Sequence, residues 1–227
     1  VLKWVRLQNL QCPWKNIICE YAALNGHLDV LKWARAQDPP CSWNEMICSS
    51  AAKNGHLDIL SWARMNGCGW DTQTCSSAAL IGYLDVLKWA RMQDPPCPWN
   101  ESTCSHAALN GHLDVLKWAR THGCPWDGQT CAYAAQNGHF DVLIWARLNG
   151  CPQNSNLCSS AALNGHLEIL KWARKTGCDW DEQTCANAAR NGHLELLKWA
   201  RLQNPPCPWN GTTRDNATLN NQFDVLD

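Results

Sequence analysis

The sequence predicts an all-α solenoid of stacked helix–turn–helix units, and three observations predict it. A stretch, AALNGHLDVLKWAR at Ala107–Arg120, recurs in close copies at Ala22–Arg35, Ala51–Arg64, Ala78–Arg91, Ala134–Arg147, Ala161–Arg174 and Ala188–Arg201. The glycine of each copy (Gly26, Gly55, Gly82, Gly111, Gly138, Gly165 and Gly192) sets successive steps of 29, 27, 29, 27, 27 and 27 residues. A period of that size is the signature of a repeat architecture. Inside each copy the apolar residues follow helical rather than alternating spacing.

One copy justifies the second helix of a unit. In Gly111–Arg120, Leu113, Val115, Leu116, Trp118 and Ala119 cover a wide arc, and Asp114, Lys117 and Thr121 share the narrow remainder. A surface helix has a narrower apolar stripe, so this one is expected to be covered on more than one side. Asp114 early and Arg120 late suit the helix dipole, and Asp114 and Lys117 are placed to pair at i,i+3.

The preceding segment, Asn100–Leu109, reads as a shorter first helix. Asn100 is a good N-cap. Cys104, Ala107 and Ala108 make one small-residue face that lets a neighbouring helix approach closely. Asn110-Gly111 ends the helix, with Gly111 free to take the left-handed conformation. Helices of about ten residues are not stable alone in water, so the core must come from stacking, as in a solenoid.

Along the chain, residues 1–9 supply half a unit. Seven helix pairs follow over about 14–206, with first helices starting near Asn16, Glu45, Thr72, Glu101, Gly128, Ser155 and Glu182. The loops between pairs take a short form with Gly-Cys, as at Gly67-Cys68, or a long form with Pro-Pro-Cys, as at Pro39-Pro40-Cys41. Pro stops a helix and stiffens the connection. From 207 to 227 the pattern decays: Arg214 stands for the expected Cys, Thr218 for Ala, Asn221 for Gly and Gln222 for His. The expectation is one array over 1–227, with a degenerate or truncated last unit.

Composition narrows the function. Lys+Arg 19 against Asp+Glu 20 is balanced, whereas a nucleic-acid binder carries a basic excess or stripe. No apolar run approaches the roughly 18–20 residues of a membrane span. No phosphate loop, nucleophile elbow or zinc-protease motif occurs, and no unique cluster breaks the repeat symmetry. The reading is therefore of a non-enzyme without cofactor or metal, and with neither nucleic acid nor membrane as a partner.

AARNGHLELLK (Ala188–Lys198) resembles the ankyrin repeat, whose helix–turn–helix commonly reads AA-x-NGHLE-x-V-K. Gly177-Cys178-Asp179-Trp180-Asp181 is similar to the ankyrin Gly-Ala-Asp-Val-Asn. The resemblance runs through nearly the whole chain, with two departures. The period is about six residues shorter than in ankyrins, and Gln183-Thr184-Cys185 stands where Thr-Pro-Leu-His belongs. The resemblance thus implies an ankyrin-like α-solenoid with the β-hairpin fingers shortened or lost. It also implies a protein-binding scaffold or adaptor whose first helices line the concave side.

Fifteen cysteines recur as C-x6-C in each unit (Cys12/Cys19, Cys41/Cys48, Cys68/Cys75, Cys97/Cys104, Cys124/Cys131, Cys151/Cys158 and Cys178/Cys185), with Cys207 left over. Two columns of buried small hydrophobes is the favoured reading. Disulfides within units are the alternative and need an oxidising compartment. Structural zinc prefers closer Cys spacing and two further ligands.

Fifteen tryptophans form a helix-2 column (Trp33, Trp62, Trp89, Trp118, Trp145, Trp172, Trp199) and a loop column with Gln153 as its gap. Packing between repeats is expected for both, with indole N–H groups bonded to loop carbonyls. The histidine after each Asn-Gly reads as a hydrogen-bonding residue at the helix start, and Tyr83 replaces it once.

Variation among the copies nominates a binding face. The pair between the helix-1 Cys and Ala-Ala varies most, and the residue after Ala-Ala varies too. Tyr21, Lys53, His106, Tyr133, Gln136, Asn187 and Arg190 break the Ser/Ala/Leu monotony of those positions. They are the candidate contacts to a protein partner of a monomeric chain, with a cytoplasmic location favoured. Two rival readings remain at this point. One is a nucleic-acid reader built from helical repeats. The other is an extracellular disulfide-stapled array, for which Asn100-Glu101-Ser102, Asn210-Gly211-Thr212 and Asn216-Ala217-Thr218 match the glycosylation triplet.

Overall fold

From the second repeat onward an Asp or Asn follows the loop tryptophan position, and there the first helix starts. The side chains of Asp71, Asn100, Asp127, Asp181 and Asn210 accept backbone N–H groups of the first turn at 3.0–3.3 Å. Such bonds satisfy donors that a helix start leaves unpaired. Asn44 and Asn154 accept in the same way. After Asn154, however, residues 155–156 form a turn, and the helix starts at Leu157 rather than Ser155.

A computed structural model describes residues 16–220. Among them are fifteen helices and no strand. The first helices are α1 (Asn16–Leu24), α3 (Met46–Lys53), α5 (Thr72–Ile81), α7 (Glu101–Leu109), α9 (Gly128–Gln136), α11 (Leu157–Leu163), α13 (Glu182–Arg190) and α15 (Gly211–Leu219). The second helices are α2 (Leu28–Arg35), α4 (Leu57–Met65), α6 (Leu84–Arg91), α8 (Leu113–Thr121), α10 (Phe140–Leu148), α12 (Leu167–Lys175) and α14 (Leu194–Arg201). The fold is thus the all-α repeat solenoid expected. The half unit at 1–9 lies outside the described residues, as do Asn221 and Gln222.

The chain divides after Trp99 into two units. In the first, α1 packs on α3 and α3 on α5. In the second, α7, α9, α11, α13 and α15 pack in succession. Every second helix lies against its own first helix. The core comes from the small face of the first helices (Cys, Ala, Ala) and from the Val/Ile, Leu and Ala of the second, such as Val115, Leu116 and Ala119, all fully buried.

Both loop forms deliver their cysteine to the same place. The Cys68 N–H donates to the Ala63 carbonyl at 3.0 Å after a short loop, and the Cys97 N–H to the Ala90 carbonyl at 3.0 Å after a long one. The Asp38–Pro39, Asp94–Pro95 and Asn204–Pro205 peptide bonds of the long loops are cis. Extra residues therefore alter the path of the loop without changing its end point.

One expected contact is absent. Asp114 does not pair with Lys117; its carboxylate accepts the N–H of Val115 at 2.8 Å. Among the described residues the i,i+3 pair forms only where Glu replaces Asp, in Glu168–Lys171 at 2.7 Å and Glu195–Lys198 at 3.2 Å. The extra methylene of Glu supplies the reach.

Candidate functional site

Within each unit two sets of contacts tie a repeat to its neighbour, and a third set of positions is left over. The first tie lies at the turn. A first helix ends with carbonyls that have no partner inside the helix. The Leu109 carbonyl takes two donors from the next repeat, Asn137 Nδ2 at 2.8 Å and His139 Nε2 at 3.1 Å. Asn54 and His56 do the same at Leu24, and Asn191 and His193 at Leu163. A carbonyl only accepts, so Nε2 carries the proton in each bond. The histidine therefore bridges repeats. It makes no side-chain bond to its own helix, contrary to the expected helix-start role.

This bridge explains why glycine precedes the histidine. Gly111 has φ +75°, and a Cβ there would lie 2.6 Å from the His139 ring. Left-handed geometry and the packed ring both exclude a side chain. Tyr83 fills the same place beside Gly55, at 3.0 Å from the equivalent Cβ position. What this position requires is therefore a flat ring.

The second tie runs through the loops. The Arg that ends each second helix donates to the carbonyl of the loop cysteine, as Arg64 to Cys68 at 2.5 Å, Arg147 to Cys151 at 2.8 Å and Arg120 to Cys124. Its guanidinium lies 3.9–4.2 Å above the next loop indole in Arg35–Trp43, Arg64–Trp70, Arg91–Trp99, Arg120–Trp126 and Arg174–Trp180. That indole meets the helix-2 indole of its own repeat edge to face, in Trp43–Trp62, Trp70–Trp89, Trp126–Trp145 and Trp180–Trp199, at 5.7–6.1 Å. Cation–π and edge-to-face contacts contribute about 1 kcal/mol each. The loop tryptophans do meet the preceding repeat as expected, through its arginine, while ring-on-ring contact joins the two columns inside a repeat.

Gln153 interrupts this relay. Arg147 reaches the Gln153 Oε1 at 3.4 Å, and Trp172 packs edge to face on Phe140 at 5.9 Å instead. Phe140 stands where the other second helices begin with Leu.

The nominated residues all lie on first helices. Tyr21 on α1 is 58% exposed and lines an open apolar cleft with Ile17, Ile18 and Val30. Lys53 on α3 and Arg190 on α13 are exposed. His106 on α7, Tyr133 and Gln136 on α9, and Asn187 on α13 are half-buried. Within the second unit His106, Tyr133 and Asn187 occupy the same register of α7, α9 and α13. Asn187 is partly committed to the fold, since its Nδ2 donates to the Ser159 carbonyl at 2.9 Å.

The second residue of the variable pair is half-buried or exposed in every described repeat but that of Ser50. The first is buried in most repeats: Ser49, Ser76, Ser105 and Ser159 bond back to carbonyls three residues earlier. Helical phase alone did not separate the two.

A second surface escaped the sequence reading. Met65, Met92, Leu148 and Leu202, each just after the Arg of a second helix, are 77–84% exposed. The signal was a large apolar residue recurring after the Arg, but the arc covered by second helices is too wide for the pattern to reveal which edge is bare.

The cysteines also correct an expectation. All fourteen described cysteines are buried thiols, none of them in a disulfide. The thiols that meet are not the C-x6-C partners. Hydrogen bonding joins Cys48 to Cys68, Cys104 to Cys124 and Cys131 to Cys151, a helix-1 thiol with the loop thiol of the next repeat. Cys207 is not left over, because it meets Cys185. No group of three or more possible metal ligands occurs among the described residues, and none of the described helices is long and apolar enough to cross a membrane.

Residues 158–201 match the family model for ankyrin repeats (many copies). The human ASB11 ankyrin repeat domain is similar in fold, with a TM-score of 0.52, 15% identity, and coverage of 71% of this chain and 84% of that one. No curated protein matches. The matched segment is α11–α14 with its loops, and the repeats on either side are copies of it. The matched segment is thus of ankyrin-repeat type, and the fold is that of an ankyrin repeat domain.

Proposed function

We propose that the chain is a non-catalytic protein-interaction scaffold that binds its partner across the outward positions of its first helices. Ankyrin repeats generally mediate protein–protein interaction. The observation that carries the reading is the contrast inside each first helix. From α1 to α13 the Cys, Ala and Ala are buried and uniform, while the residue before Ala-Ala (buried Ser50 excepted) and the residue after it are half-buried or exposed and vary among the repeats. Tyr133, Gln136, His106 and Arg190 supply aromatic, amide, imidazole and guanidinium groups to that face in the second unit, and Tyr21 and Lys53 contribute in the first. Tyr and Arg are among the residues that most often carry interface energy. Asn187 stands at the same register, its amide held between the Ser159 carbonyl and the Gln183 side chain.

The test is comparative affinity capture from the native cell. The wild-type chain and the variant Tyr21→Ser/His106→Ser/Tyr133→Ser serve as baits, with bound proteins quantified by mass spectrometry. The reading predicts a protein retained by the wild type and depleted on the variant. A capture profile identical for both baits would overturn the assignment of the face.

A further inference from the structure

Seven thiol pairs run through the described repeats, each joining a first helix to the loop that opens the following repeat. Hydrogen bonding links Cys19 with Cys41, Cys48 with Cys68, Cys104 with Cys124, Cys131 with Cys151 and Cys185 with Cys207. In the other two pairs the Cys75 and Cys158 thiols lie 3.9 Å from the carbonyl oxygens of Cys97 and Cys178. Every one of these side chains is buried.

The loop partner is held on several sides. The Cys151 N–H donates to Ala146 at 2.9 Å, its carbonyl accepts from Arg147 at 2.8 Å, and its thiol points to the Asp127 carbonyl at 3.3 Å. Cys68 is held the same way by Ala63, Arg64 and Asn44. Two thiols kept face to face in a fixed frame differ from two columns of small apolar side chains, for which Ala would serve as well.

We propose that these pairs are latent disulfides, and that a peroxide closes them to staple each first helix to the next repeat. The chemistry balances with hydrogen peroxide as the oxidant. One thiolate attacks a peroxide oxygen, giving a sulfenic acid and one water. The second thiol displaces the sulfenic oxygen as a second water, and the S–S bond forms. The sulfur pair loses two electrons and the peroxide gains them.

The pairs should differ in rate. The hydrogen bond from Cys48 holds Cys68 below the ordinary thiol range, and Cys131 does the same for Cys151, which favours the attacking thiolate. Burial pushes the Cys158 thiol up to about 12, so Cys158–Cys178 should close later. Because all are buried, reaction proceeds through local opening.

The experiment uses the reduced full chain, treated natively with graded hydrogen peroxide, quenched with an alkylating agent and mapped by peptide mass spectrometry. The expected result is a loss of about 2 Da per closed pair, two hydrogens each, with cross-links Cys48–Cys68 and Cys131–Cys151 formed before Cys158–Cys178. The unfolding midpoint should rise, and a dithiol reductant should reverse both changes. Cys68→Ala should remove its own cross-link and leave that of Cys131–Cys151. Cross-links of C-x6-C spacing such as Cys41–Cys48, sulfinic products without cross-links, or fifteen thiols still alkylable after excess peroxide would each overturn the proposal. Mapping the wild type decides the pairing even where a variant fails to fold.

Discussion

On the loop side of the repeats, the same contact recurs from repeat to repeat. Five guanidiniums lie over five loop indoles, and four of those indoles meet a helix-2 indole. On the first-helix side, equivalent positions hold Tyr21, His106, Tyr133 and Asn187 or a plain serine, and the bond made there differs with the residue, as where Asn187 and Asn216 reach the preceding repeat's backbone. Repetition marks the side that holds the array together, and variety marks the side free to meet something else. The Gln153 repeat sharpens the point, because where the loop indole is missing Trp172 packs instead on Phe140, which stands at the usual Leu position.

The largest effect should come from the turn. Gly111→Ala forces a left-handed alanine and displaces the His139 ring, and should cost about 2–3 kcal/mol of unfolding free energy. Gly123→Ala is the control, with φ +84° but nothing within 4 Å of the added Cβ, and should cost only about 1 kcal/mol. Equal losses would show that the histidine ring does not stabilise the turn.

Next is the relay. Trp126→Gln removes the stack with Arg120 and the edge contact with Trp145, and should lose about 2 kcal/mol in denaturant unfolding. Gln153→Trp should gain about 1 kcal/mol, less than the converse loses because Phe140 already packs on Trp172. A destabilised Gln153→Trp would mean that this loop cannot accept the relay.

A smaller effect is expected from the threonines that precede the helix-1 cysteine position. The hydroxyls of Thr74, Thr103, Thr130 and Thr213 are buried without a hydrogen-bond partner, and Ile47 and Leu157 occupy the equivalent position elsewhere, fully buried. Thr103→Val should stabilise by about 1 kcal/mol, since it removes an unsatisfied polar group at constant shape. A loss of stability would indicate a bond that the static structure lacks.

Much of this was legible in the sequence, because the period, the Asp/Asn caps and the turn glycines act within one repeat. The contacts that were not legible depend on register between repeats. Asn137 and His139 act on a carbonyl 28 and 30 residues earlier, and Cys48 meets Cys68 rather than Cys41. A periodic sequence looks the same at every register, so it names the columns without saying which members meet. The binding face was partly legible for the same reason. Variation located the pair before Ala-Ala, and only packing separated the buried Ser105 from the outward His106.

The least effect on stability should come from Tyr21→Ser/His106→Ser/Tyr133→Ser, within about 1 kcal/mol of wild type, and this variant carries the most direct test of the account. Calorimetric titration of the captured partner would compare it with Met65→Ser/Met92→Ser/Leu148→Ser/Leu202→Ser, which alters the exposed ends of the second helices. The account predicts an affinity loss of about tenfold or more for the first-helix variant, as expected for interface anchors, and wild-type affinity for the other. Undiminished affinity in the first-helix variant, with binding lost in the second-helix one, would contradict it.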